Sequence, residues 1–233
     1  MPRASLPPDT RVYAIGDIHG RADLLTDLIA RIDDDVQRRP ISHVIEIYLG
    51  DYVDRGADSR GVIDLLATRM VRNQAICLRG NHEAMLEAFL RNPATLRDWA
   101  PTGALPTLDS YNVSLTPKKT PDELHRLFEA ALPRAHQLFL QCLRDYFVCG
   151  DFLFVHAGIR PGVPIEQQLT SDMHWIRHDF LDSTADHGCF VVHGHTPVPH
   201  PDIRSNRINI DTGAWRTNVL TCIAIEASGV IIL

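Results

Sequence analysis

At 233 residues, with 45% hydrophobic and 22% charged side chains, the chain has the size and composition of one globular domain that needs no disulfide staples. A net charge of −6, from 23 Lys and Arg against 29 Asp and Glu, argues against a nucleic-acid scaffold or an acidic membrane as partner. Five cysteines without CxxC spacing, no apolar signal core near the N-terminus and no run of about 20 apolar residues make a soluble cytoplasmic protein the expectation.

In chain order, residues 1–10 carry Pro2, Pro7 and Pro8 and are expected as a flexible tail, with 11–233 forming a single domain. Strand-length apolar runs follow at 12–15, 44–49, 75–78, 152–155, 190–193, 208–210, 220–225 and 230–233. Helical spacing lies between the early ones. Leu24, Leu25, Leu28, Ile29 and Ile32 form one face, and Val62, Ile63, Leu65, Leu66 and Met70 a second. Met85, Leu86, Phe89 and Leu90 begin a third. Alternation of strand and helix predicts an α/β layered fold with a largely parallel central sheet. The later strands have no clear helix between them, which predicts an antiparallel second sheet. Residues 92–120 hold Pro93, Pro101, Pro106 and Pro117 with weak periodicity, and helical spacing resumes at 124–132 and 135–143. The stretch from about 92 to 145 is therefore expected to be a loop-plus-helix insertion over the site.

The chemical signal is where the polar residues fall. The first run ends in Gly16-Asp17-Ile18-His19-Gly20, the second in Gly50-Asp51-Tyr52-Val53-Asp54-Arg55-Gly56, and the third in Arg79-Gly80-Asn81-His82-Glu83. The fourth ends in His156-Ala157-Gly158, and the fifth runs into His193-Gly194-His195-Thr196-Pro197. In open α/β sheets the carboxyl ends of the strands line one edge, where ligands bind. Asp17 and His19 lie two apart, on one side of extended backbone, and can grip one ion. Asp51 can bridge two ions through its two oxygens. Asn81, His156 and one of His193 and His195 would complete the second. An all-N/O ligand set suits Mn²⁺, Fe or Zn²⁺.

GDIHG, GDYVDRG, RGNHE, HAG and HGHTP, in this order, resemble the calcineurin-like metallophosphoesterases. VDRG with GNHE is similar to the compact bacterial and phage serine/threonine protein phosphatases of that superfamily. Trp175-Ile176-Arg177 and Ile210-Asp211-Thr212-Gly213-Ala214 match further segments. The resemblance implies a layered αββα sandwich, with helices outside two central mixed sheets. It implies two divalent ions, Mn²⁺ expected and Fe or Zn the alternatives. Asp17, His19 and Asp51 would hold the first ion, and Asp51, Asn81, His156 and His195 the second. His195 is preferred to its neighbour His193 because it stands directly before Thr-Pro.

By the same resemblance a metal-bridging hydroxide attacks phosphorus directly. His82 would protonate the leaving group, Asp54 would orient it, and Arg55 and Arg177 would bind the phosphate oxygens. Asp211 is expected to brace a turn, Arg21 and Arg79 to be solvated or to start helices, and His174 and His178 to be exposed.

The leading expectation is a phosphatase for phosphoserine and phosphothreonine in proteins. The alternative is a hydrolase of small phosphorylated molecules such as diadenosine tetraphosphate, in whose branch the second motif reads VARG-like and the third ends in Asp. Asp54 and Glu83 favour the former. An inactive phosphate-binding module ranks lower because the ligand set is complete. A nuclease ranks lower still because the chain is acidic and has no basic stripe.

Overall fold

A computed structural model describes residues 4–116, 119–227 and 229–233. Strands β1 (Thr10–Ile15), β2 (His43–Tyr48) and β3 (Ile76–Cys77) alternate with helices α1 (Ala22–Arg38), α2 (Ser59–Asn73) and α3 (Asn81–Arg91). Short helices α4 (Leu96–Trp99) and α5 (Ala104–Ser110) follow, then α6 (Pro121–Ala131) and α7 (Arg134–Gln141). The second half contains β4 (Tyr146–Cys149), β5 (Phe152–Val155), α8 (Thr170–Trp175), α9 (His178–Leu181) and β6 (Phe190–His193). It ends with β7 (Asp202–Ile203), β8 (Arg207–Asn209), α10 (Ala214–Thr217), β9 (Cys222–Glu226) and β10 (Gly229–Ile232).

The strands form two five-stranded sheets, ordered β10-β9-β1-β2-β3 and β4-β5-β6-β8-β7. In the first, β1, β2 and β3 are parallel, while β9 and β10 are antiparallel additions. In the second, β5, β6 and β8 are parallel, with antiparallel β4 and β7 at the edges.

The two-residue period of β1 explains the layers. Tyr13 and Ile15 pack against the helices of the N-terminal half, whereas Val12 and Ala14 face the other way. There they meet Phe152, Phe154, Val192 and Ile208 of the second sheet. The outer face of that sheet is covered by Met173, Ile176 and Phe180 around α8 and α9. Helix, sheet, sheet and helix are thus stacked as an αββα sandwich. The face of α1 is as spaced in the sequence, with Leu25, Leu28 and Ile32 buried. No helix among the described residues is long and apolar enough to cross a membrane.

Several expectations need correction. The last two strands return to the first sheet: in β9, Ile223 and Ile225 face the intersheet core while Cys222 and Ala224 face the helices, and β10 pairs with β9 as the exposed edge. A strand buried on both faces fits beside β1 and not at an exposed edge. The second sheet is parallel at its centre, because α8 and α9 provide a helical crossover between β5 and β6.

Residues 4–9 of the expected tail are docked. Leu6 is buried in the intersheet core, and Ser5 donates through its backbone N–H (2.9 Å) and hydroxyl (2.8 Å) to Asp151. Residues 1–3 lie outside the described part. The stretch 92–120 contains α4 and α5, which bury Leu96, Trp99, Ala104 and Leu108. Its prolines break the run into pieces of at most seven residues, too short for a helical period to register in the sequence. Pro117 lies outside the described residues.

Candidate metal centre

The turns that leave β1, β2, β3, β5 and β6 open on one edge of the sandwich. They carry unusual backbone: His19, Asp51, Asp54, Arg55 and His195 all have positive φ, between 47° and 73°. Non-glycine residues are held there only where surrounding contacts demand it, and such positions gather at functional sites. A Cβ on Gly80 would collide with the Asp51 carboxylate, and one on Gly194 with that of Asp17. Both glycines let backbone approach the carboxylates closely.

Donor and acceptor accounting gives the centre its character. Nδ1–H of His156 donates to the Leu49 carbonyl at 2.9 Å, and Nδ1–H of His19 donates to the Val53 carbonyl at 2.9 Å. Each imidazole therefore presents a lone pair at Nε2. Nε2 of His156 lies 3.0 Å from Asn81 Oδ1, 3.2 Å from His195 Nδ1 and 3.4 Å from Asp51 Oδ1. His195 Nδ1 is 2.8 Å from the same Asn81 oxygen, and the buried His195 Nε2 has no hydrogen-bond partner among the described residues. On the other side, Asp51 Oδ2 lies 3.5 Å from His19 Nε2.

Two clusters result, Asp51–His156–His195 and His19–Asp51–His82, with ligand atoms within 4.8 Å of one another in each. The two oxygens of Asp51 are divided between them. Asp17 lies alongside, accepting from the backbone N–H of His195 at 3.1 Å.

Electrostatics point the same way. Burial pushes the Asp17 carboxyl well above its usual range, and Asp211 and Asp51 push it further. Asp211 is itself raised to about 6, chiefly by burial. Asp51 is pushed up by burial yet ends well below the carboxylate range, because His156, His82, His19 and His195 surround it. Burial lowers His19 to about 3, His195 to about 2, and His156 in the same direction, so all three are neutral at pH 7. Lone pairs converging on buried carboxylates fit divalent cations, which would supply the missing positive charge.

His82 is placed differently. Its Nδ1 lies 2.6 Å from Asp54 Oδ2, and Arg55 Nη2 donates to its Nε2 at 3.2 Å. Both ring nitrogens are engaged, so it sits in a metal-type cluster without a free ligating atom. Burial lowers its pKa, but the carboxylates of Asp51 and Asp54 prevail and the net shift is upward. Asp54 is fixed by Trp99 Nε1–H (2.7 Å) and the Thr107 hydroxyl (2.6 Å). Thus α4 and α5, from the stretch expected to be a loop, anchor the pair from behind.

Arg55 is half-buried, its backbone N–H donating to the Gly103 carbonyl at 3.0 Å and its guanidinium 5.4 Å from the Trp215 ring centre. Arg177 is exposed at the start of α9, where its charge helps lower His195.

His193 is buried against Phe180, with ring centroids 5.0 Å apart, and belongs to neither cluster. His174 is buried, not exposed as expected, and its Nε2 meets Asp145 at 3.1 Å. Asp145 also pairs with Arg79 at 3.1 Å. Arg21 pairs with Asp23 and Asn218, and Asp211 accepts from the backbone N–H of Gly213 at 2.8 Å.

Sequence reasoning missed the position of Glu83. It accepts backbone N–H bonds from Gly80 (3.0 Å), Asp51 (2.8 Å), Tyr52 (2.7 Å) and Val53 (3.2 Å), holding the Asp51 turn against the start of α3. Burial and Asp51 raise its carboxyl to about 8 against these donors. Its place three residues after Gly80, at a helix start, is the signal that could have found it.

With this geometry in view, comparison with known proteins becomes decisive at the family level. The calcineurin-like phosphoesterase profile matches residues 10–218. The chain belongs to the calcineurin-like phosphoesterase family. It is a metallophosphoesterase hydrolase, and the family implies a dinuclear divalent-metal site.

Among similar family members, the asymmetrical bis(5'-nucleosyl)-tetraphosphatase PrpE of Bacillus subtilis is 29% identical, covering 89% of this chain and 87% of that protein. Serine/threonine-protein phosphatase 1 of Salmonella typhimurium is 28% identical, covering 92% of each. The solved structure of a cold-active protein tyrosine phosphatase superposes with a TM-score of 0.68 at 15% identity, over 98% of this chain and 78% of that one. The last likeness speaks to the fold.

Proposed function

We propose that this phosphoesterase hydrolyses small phosphorylated nucleotides, with dinucleoside tetraphosphates as the leading substrate class. The observation that carries the reading is the near full-length similarity to asymmetrical bis(5'-nucleosyl)-tetraphosphatases, such as those of Bacillus subtilis and Oceanobacillus iheyensis. This displaces the phosphoprotein expectation, which rested on Asp54 and Glu83. Glu83 bonds only backbone N–H groups around Asp51, so it shapes a turn and reads no substrate. Asp54 serves His82, and a general acid is compatible with either substrate.

In the proposed reaction, water adds across one P–O–P anhydride bond, which breaks to give two terminal phosphates. Asp17, His19, Asp51, Asn81, His156 and His195 would hold two ions, Mn²⁺ by preference, which activate water and neutralise phosphate charge. Arg55 and Arg177 supply local positive charge for the phosphate oxygens. With Asp54 fixing its ring through Nδ1, His82 delivers a proton to the departing oxygen from Nε2, which must first exchange the bond it accepts from Arg55 for a proton. Five free cysteines support action in the reducing cytoplasm.

A second reading, hydrolysis of phosphoserine or phosphothreonine in proteins, is favoured by the Salmonella typhimurium relative and by the His82–Asp54 pair. An alkoxide leaving group needs that proton more than a phosphate does. The test is hydrolysis by metal-stripped protein with Mn²⁺ restored, comparing diadenosine tetraphosphate with a phosphothreonine peptide. Higher kcat/KM on the nucleotide supports the proposal. Preference for the peptide moves the substrate to the second reading.

A further inference from the structure

The chain has three tryptophans, and all three touch the site. Trp99 is interior, 1% exposed, and is explained by its bond to Asp54. The other two are not explained by packing. Trp175 is 45% exposed and Trp215 is 38% exposed.

Their local structure displays them. Trp175 ends α8, where Met173 and His174 take the buried positions. Trp215 lies in α10, a single turn bounded by left-handed Gly213 and Asn218, with Ala214 as its buried residue. Large aromatic surface left in water forfeits a hydrophobic gain unless something covers it in use.

Their placement is complementary. The Trp175 ring meets His195 edge-on at 6.2 Å, on the Asp51–His156–His195 side of the centre. The Trp215 ring meets Arg55, which bonds His82, on the His19–Asp51–His82 side. Each has an arginine for company. Arg177 follows Trp175 two residues on, and Arg55 and Arg216 stand 5.4 and 5.9 Å from the Trp215 ring centre. A cleft of about 500 Å³ opens beside the former, lined by Trp175, Arg177, Ser171 and His178 together with Arg160, which pairs with Asp172 and Asp179 of the same lining.

A half-exposed indole with a guanidinium over or beside it, repeated on both flanks of a phosphate-handling centre, matches a ligand with a planar ring at each end of a polyphosphate. We infer that Trp175 and Trp215 are stacking platforms for the two nucleobases of a dinucleoside polyphosphate. This rests on the proposed function and extends it to the ends of the substrate. Stacking is tolerant of base identity, so adenine and guanine ends are accepted alike.

The test compares the KM for diadenosine tetraphosphate with that for p-nitrophenyl phosphate, a base-free phosphoester, in Trp175→Ala, Trp215→Ala and the corresponding Phe variants. Each Ala variant is expected to raise the ratio of the two KM values on the order of 10-fold, with Phe restoring most of it. In the unmodified protein, AMP should quench tryptophan fluorescence where ribose 5-phosphate does not. An unchanged KM ratio in variants of a protein that turns over the dinucleotide overturns this inference alone. Lack of dinucleotide turnover by the unmodified protein, with phosphopeptide cleaved, overturns the proposed function and this inference with it. A KM rise confined to phosphopeptide also overturns it, because the two rings would then hold peptide side chains.

Discussion

The two ends of β1 carry polar clusters built on opposite principles, one half-buried and one buried. At its start, Arg11 donates to Glu226 (2.6 Å), to the Tyr13 hydroxyl (3.2 Å) and to the Arg39 carbonyl (2.8 Å). Asp35 accepts from Tyr13 (2.5 Å) and from two nitrogens of Arg39 (2.8 and 2.6 Å). Cations and anions alternate, and each acceptor meets a donor. Past its other end, Asp17, Asp51, Asn81 and three histidines bring together acceptors, with a His195 nitrogen unpartnered among the described residues and a carboxyl driven upward by burial and by its acidic neighbours. A closed network holds structure, whereas an open one is complete only with a ligand. The donor count separates the two.

Removing the shared carboxylate breaks the comparison most severely. Asp51→Asn should lower kcat by more than about 10³-fold, beyond the loss of a single preorganised donor, because the amide keeps one oxygen, carries no charge and cannot bridge both ions. Assay at saturating Mn²⁺ checks this, and retained activity would contradict the bridging role. His82→Asn should cost about 10²–10⁴-fold on a phosphothreonine peptide but much less on diadenosine tetraphosphate, whose leaving phosphate needs little protonation. Equal losses on both substrates would remove the general-acid role.

Glu83→Gln keeps the shape but loses acceptor capacity toward the four backbone N–H groups, and should weaken Mn²⁺ affinity about 10- to 100-fold by calorimetry. Trp99→Phe leaves Asp54 short of a buried donor and should destabilise the fold by about 1–3 kcal/mol in urea.

The smallest effect concerns the closed cluster. Arg39, with help from Tyr13 and Arg11, holds Asp35 down at about 2, below its unfolded value near 3.9. A depressed carboxyl stabilises the fold above its unfolded pKa, and that contribution is lost as pH falls from about 4 towards 2. Asp35→Asn should therefore be less stable at pH 7 and show a flatter fall in Tm over that acid window. An identical slope in both proteins would show that Asp35 does not couple folding to protons.

Much of the cluster is legible because each candidate ligand stands within a few residues of an apolar run's end, where strand turns into loop. What the sequence hid depends on partners far apart along the chain. Trp99 and Asp54 are brought together by α4, whose period was obscured by Pro93 and Pro101. His174 looked exposed beside Arg177, yet Asp145 buries and satisfies it. The last two strands were visible as strands, but their sheet was not, since pairing with β1 is a long-range choice. Glu83 was used to choose a substrate when its contacts are with backbone.

If the open cluster holds two divalent ions bridged by Asp51, the two should be magnetically coupled. Electron paramagnetic resonance of the metal-stripped protein titrated with Mn²⁺ tests it most directly. Two ions per chain with a spin-coupled signal are expected for ions roughly 3.5–4 Å apart. A single uncoupled ion at saturation, or binding unchanged in Asp51→Asn, would contradict it.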